Sequence, residues 1–197
     1  PCASSSACVT VAVMKLPANA VSILGVFCLT IILLTACGRE APAPGNIIHL
    51  GNRSELQDLD PHVVTGVAEW RTLAALFQGL ADLDPVSLEP VPGVASSWTV
   101  SNDGLTYVFT LRPEARWSNG DHVTAHDFAY AWQRILSPAL GSPYAYLLHC
   151  LKNARRFNAG ELADFGEVGV SALDKHRLQV TLENPTPYFL KMHTHFT

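Results

Sequence analysis

Apolar positions change their spacing several times along this chain, and each change marks an element. The first apolar stretch has no period: Val21 to Leu34 runs uncharged for fourteen residues. Ile47-Ile48-His49-Leu50 is a short strand candidate. Trp70, Leu73, Ala74, Phe77 and Leu80 recur at helical spacing, with Gly79 placed to end the helix. Asp82 to Pro92 holds three prolines and reads as a loop. Strict alternation follows in Thr106 to Leu111, with Tyr107, Phe109 and Leu111 on one face. Ser101-Asn102-Asp103-Gly104 joins that strand to Trp98-Thr99-Val100 as a hairpin.

The 3.6 period returns in Phe128, Ala131, Trp132, Ile135 and Leu136, one apolar helix face. Thr124 and Asp127 provide an acidic capping box before it, and Ser137-Pro138 stops it. Tyr144, Leu147, Leu148 and Leu151 predict another helix. Val168 to Ala172 and Arg177 to Leu182 read as strands around the Asp174-Lys175 turn. Asn184-Pro185-Thr186-Pro187 then breaks the chain, and a helix begins at Tyr188. The pattern is that of a mixed α/β domain, in which Trp70, Trp98, Trp117 and Trp132 are most simply core.

Composition changes the picture only at the front. Of 197 residues, 48% are hydrophobic and 15% charged. The mean hydropathy of +0.18 owes much to the Val21–Leu34 run and misdescribes the body. The net charge is −4 and no basic run exists, so nothing favours nucleic acid or an anionic surface. Five cysteines show no CxxC spacing, which leaves neither a zinc knuckle nor a redox pair. Cys150, alone, reads as a small buried hydrophobe.

The front of the chain is an address. Met14 and Lys15 give a short positive region before the apolar run. Fourteen residues suit a signal-peptide core of about 7–15 and fall short of a membrane span of about 20. Leu34-Thr35-Ala36-Cys37-Gly38 resembles the bacterial lipobox, which implies cleavage after Ala36 and a lipid on Cys37. An uncleaved anchor with an incidental cysteine is the alternative. The expected organisation is upstream translated sequence at 1–13, signal peptide at 14–36, tether at 37–46 and a domain at 47–197.

Candidate chemistry is sparse. There is no GxSxG, P-loop or GxGxxG. Asp58 with Asp60, and Asp82 with Asp84, could mimic paired carboxylates, yet they sit in turn-rich segments and read as solvated loop acids. His193-Thr194-His195 invites a metal reading, but two histidines two apart suit a strand and a helix is expected there. No metal and no cofactor is expected.

Several blocks, in order, carry a family resemblance. They are Leu59-Asp60-Pro61-His62, Leu76-Phe77-Gln78-Gly79-Leu80, and Glu89 to Ala95 with Trp98. Ser101 to Arg112 with Trp117-Ser118-Asn119-Gly120 is the most specific. Val123 to Phe128, Trp132-Gln133-Arg134, Ser142-Pro143-Tyr144 and Glu183 to Phe189 point to the oligopeptide branch. From Ile47 to Thr197 the chain resembles the family 5 solute-binding proteins of peptide ABC importers.

The resemblance implies a fold of two α/β lobes closing on a ligand. This chain would be an incomplete first lobe of that periplasmic-binding-protein-like fold, with the extra subdomain of the larger members. It implies a non-enzymatic binder of extended oligopeptides by β-strand addition. The same family also holds relatives for dipeptides, murein peptides, nickel or other solutes, and an unrelated histidine-dependent enzyme is a third reading. Its partners would be the peptide and membrane permease subunits, with the full-length protein a lipid-anchored monomer outside the cytoplasmic membrane.

Residue by residue, the resemblance aligns Thr65, Gly66 and Val67 with a segment offering backbone groups to peptide. An ordinary turn is the alternative there. Tyr144 aligns with a pocket aromatic, against a core tyrosine, and His195 with a pocket residue, against a histidine in a frayed end.

Overall fold

Alternation in Tyr107, Phe109 and Leu111 sets the centre of the fold. In the computed structural model, which describes residues 51–52 and 54–192, strand β4 (Thr106–Leu111) buries these three side chains. The described residues lie within one compact unit, Gly51–Thr197. The expected signal peptide, tether and Ile47–Leu50 strand lie outside them, as do Cys37 and His195.

Before the sheet come helix α1 (Val67–Leu76) and a ribbon of β1 (Ala81–Leu83) with β2 (Pro90–Pro92). The sheet has four antiparallel strands in the order β3-β4-β6-β5, where β3 is Ala95–Val100, β5 Val170–Ala172 and β6 Arg177–Thr181. Helix α2 (Ala125–Leu136) packs on β5 and β6. A 3-10 helix (Ala145–Cys150), α3 (Ala154–Asn158), a further 3-10 turn (Phe165–Glu167) and α4 (Phe189–Met192) complete the described order.

The core joins the inner face of the sheet to α2. Phe109, Leu178 and Val180 are fully buried with Ile135 and Leu136, and Trp132 is nearly so. Phe189 closes the far side, its ring 4.7 Å from that of Tyr107. The capping box of α2 forms on one carboxylate: Asp127 Oδ2 accepts the Thr124 backbone N–H at 2.7 Å and its hydroxyl at 2.9 Å. In the β3–β4 turn Gly104 takes φ +71°, a conformation that favours glycine. The hairpin, α2, the β5–β6 pair and the start of α4 all appear where the sequence places them.

Three expectations are corrected. Helix α1 ends at Leu76, before Gly79, with Phe77 already extended. Its buried stripe is Glu69 and Leu73, four residues apart, which leaves Trp70 and Phe77 at the exposed edge. Of the four tryptophans, Trp132 is core and Trp98 packs partly against it, while Trp70 and Trp117 are exposed. Trp117 is held outward by its turn, where its N–H donates to Asp121 O and its C=O accepts from Gly120.

The third correction is the loop at Asp82–Pro92, which contains the β1–β2 ribbon. Asp84 N–H donates to Glu89 O at 3.0 Å and Gly93 N–H to Leu80 O at 3.2 Å. Hydrogen-bonded and non-bonded pairs alternate along an antiparallel ladder. The pairs Leu83–Pro90 and Ala81–Pro92 therefore fall on non-bonded positions. A proline there costs the ladder nothing, so three prolines did not forbid strands.

Candidate functional site

The turn into α1 builds the candidate site. Asp60 O accepts from Val63 and Val64 N–H, and Val64 is buried. The chain then surfaces: Thr65 and Val67 are exposed and Gly66 is half-buried. Gly66 is extended, at φ −77° and ψ 150°, and its C=O accepts the Trp70 N–H at 2.9 Å. Among the described residues, neither the N–H nor the C=O of Thr65 has a hydrogen-bond partner, and the Gly66 N–H has none.

These residues line a cleft of about 1160 Å³ with Gln57, Asp58, Glu69 and Arg71. Glu69 fixes its floor. Its Oε1 accepts the Gln57 N–H at 3.0 Å, and backbone hydrogen bonds hold its carboxyl below the usual range. A Cβ on Gly66 would lie 1.8 Å from Glu69 Oε2, so a side chain there could not coexist with this arrangement.

The other candidates lie elsewhere. Tyr144 precedes the 3-10 helix, partly buried against the core, and lines neither this cleft nor a second one of about 770 Å³. Its neighbour Tyr146, with ring centroids 6.4 Å apart, lines the second cleft together with His149, Arg155 and Tyr188. His195 lies outside the described residues, as does the His193–Thr194–His195 pair. Among the described residues no three His, Cys, Asp or Glu side chains converge as a metal site. Burial pushes the Cys150 thiol up to about 11.

The acidic pairs have structural uses. Asp84 Oδ1 accepts the N–H groups of Val86 and Ser87 and the Ser87 hydroxyl, which shapes the β1–β2 loop. Asp58 Oδ1 accepts from Leu59 and Asp60 N–H. Asp60, expected to be a solvated loop acid, instead pairs with Arg134 of α2 through both guanidinium nitrogens, at 2.8 and 2.5 Å. That pairing drops its carboxyl to about 2. The Arg134 Nη1 also donates to Nδ1 of buried His62, 2.8 Å away. Sequence reasoning missed this cluster, although Asp60-Pro61-His62 and Trp132-Gln133-Arg134 both stand in blocks that carry the resemblance. Nothing local joins residues 74 apart.

Comparison with known proteins identifies the family of the chain. The family model described as Bacterial extracellular solute-binding proteins, family 5 Middle matches residues 89–197, more than half of the chain. The periplasmic oligopeptide-binding protein OppA of Salmonella typhimurium is 38% identical over 183 residues, 88% of this chain and 33% of that protein. OppA of Escherichia coli is 42% identical over 156 residues, 73% of this chain and 26% of the relative. This chain thus spans about a third or less of these relatives.

Among solved structures, the Haemophilus influenzae OppA complex with RPPGFSPFR superposes with a TM-score of 0.68 at 40% identity, over 73% of this chain and 28% of that one. The Escherichia coli murein tripeptide binding protein MppA gives 0.67 at 38%, over 71% and 27%. The observed mixed α/β unit is accordingly part of the fold these proteins share. By sequence and by structure, the chain belongs to the family 5 bacterial extracellular solute-binding proteins.

Proposed function

We propose that this chain supplies one wall of the substrate-binding component of a peptide ABC importer. The component captures extended oligopeptides by backbone pairing and delivers them to permease subunits in the membrane, without catalysis and without a cofactor. One observation carries the reading: Thr65 and Gly66 present unpaired backbone groups beside a cleft at the surface. Unpaired N–H and C=O groups on extended backbone are what an added strand needs. Such pairing reads the peptide main chain and leaves its side chains free, which suits broad specificity. The names and ligands of the relatives point the same way.

In this reading Val67 flanks the pairing segment, and Tyr144 and His195 line side-chain pockets that form with the remainder of the protein. Closure around the ligand is a population shift between open and closed lobes. Cys37 carries the lipid that holds the binder, a monomer, on the outer side of a bacterial membrane.

Mass spectrometry of ligand released from the full-length protein tests the proposal. A mixture of oligopeptides of several residues is expected. A single dipeptide, murein peptide, metal ion or sugar would assign the chain to another solute, and steady conversion of bound peptide would overturn the non-enzymatic reading.

A further inference from the structure

Among the described residues, the Thr65 backbone and the Gly66 N–H have no hydrogen-bond partner, so the position of this stretch depends on what holds its neighbours. Two contacts from the core grip the turn just before them. From α2, whose Trp132, Ile135 and Leu136 are anchored in the core, Arg134 reaches out to Asp60 and His62. From the turn after α2, the Ser142 hydroxyl donates to the His62 carbonyl at 2.5 Å. Asp60 then passes the constraint on. Its Oδ1 accepts the His62 N–H at 3.0 Å, and its carbonyl accepts from Val63 and Val64. The next residue is Thr65.

Arginine has donors only, so His62 Nδ1 must accept from Nη1 and the ring must be neutral with its proton on Nε2. Nη1 carries two hydrogens, one for Asp60 and one for His62. A proton on Nδ1 would set two donors against each other. The ring is shielded from solvent, and burial, then the Arg134 charge, lowers its pKa, while the Asp60 charge opposes that. Among the described residues, the one other titratable group coupled to the cluster is the Tyr130 phenol, which acts on Arg134.

We propose that Arg134, Asp60 and neutral His62 form a clamp that positions the Thr65–Val67 backbone for ligand, and that acid releases it. The inference rests on the peptide-binding reading for its ligand. It has a readout of its own, because a released clamp also loosens residues 60–67 when no ligand is present.

The experiment uses the full-length protein, with calorimetric binding of a mixed oligopeptide pool from about pH 7.5 to about pH 5. Hydrogen exchange of residues 60–67, corrected for intrinsic rates, is followed in parallel. Wild-type affinity is expected to fall about tenfold across that range, the scale of one hydrogen bond to a charged group. Exchange at Val63 and Val64 should accelerate with it. His62→Asn keeps an acceptor where Nδ1 stood and cannot be protonated, so it should bind at neutral pH with a flat profile. Arg134→Lys keeps the charge, loses the two-pronged grip, and should show fast exchange at every pH.

Flat affinity and flat exchange in the wild type would overturn the clamp, as would a His62→Asn profile identical to wild type. Acid-accelerated exchange in a protein that binds no peptide at any pH would support the clamp and sink the peptide reading alone.

Discussion

The Glu69 carboxylate occupies the space that a Cβ on Gly66 would need. The two residues share one small volume at the cleft floor, where Glu69 also holds the Gln57 backbone. Gly66→Ala can be accommodated only by swinging Glu69 aside and breaking that bond. Gly66→Ala and Glu69→Ala should therefore each lower the thermal midpoint slightly, and the double variant should lower it by less than the sum. Strict additivity in a double-mutant cycle would show that the contact has no energetic weight.

Stability should fall in two steps as the solution is acidified. His62 is depressed below its usual 6.5, so between that depressed value and 6.5 the unfolded chain holds more protons than the folded one. Its contribution is complete above 6.5 and is lost as pH falls from there through the depressed folded value. Asp60 sits at about 2 against its usual 3.8, chiefly through the Arg134 hydrogen bond, so its contribution is complete above 3.8 and drains away toward about 2. Urea unfolding at a series of pH values should show both steps, and His62→Asn should remove the upper one. A wild-type midpoint that holds constant from about pH 7.5 to about pH 5 would contradict the burial of a neutral His62.

Tryptophan substitutions should separate by burial. Trp132 is 2% exposed and Trp117 41%. Trp132→Ala should cost about 3–5 kcal/mol and Trp117→Ala far less, as read from chemical denaturation. Equal losses would mean that the turn bearing Trp117 is covered in the whole protein.

Lipid attachment is a matter for mass spectrometry of the membrane fraction. The mature N-terminal peptide should begin at Cys37 with a diacylglycerol on its sulfur, and Cys37→Ala should leave the precursor uncleaved and unmodified. A diacylglycerol adduct that survives the substitution would remove Cys37 from the account.

What the sequence made legible follows from the range of each signal. The alternation of Tyr107, Phe109 and Leu111 and the Thr124–Asp127 box are local, and both appear as read. The Asp60–Arg134 pair was not legible, because charge and spacing say nothing about which of many arginines folds back over 74 residues. The β1–β2 ribbon was hidden for another reason. Whether a proline breaks a strand depends on its register against a partner, and one strand's sequence does not contain the other's register. At the candidate site, Gly66 was found through resemblance alone, while the Glu69 carboxylate that excludes a side chain there needed three dimensions.

The placement of Pro90 and Pro92 also governs what this surface refuses. In an antiparallel pair, the amides not used by the partner point away from it, toward the free edge. On β2 two of those outward positions are prolines and carry no hydrogen to offer. A stray extended chain arriving at that border finds acceptors without donors and cannot zip on. β2 thus gives the described unit a rim with few donors for an incoming strand, which discourages copies from fusing edge to edge.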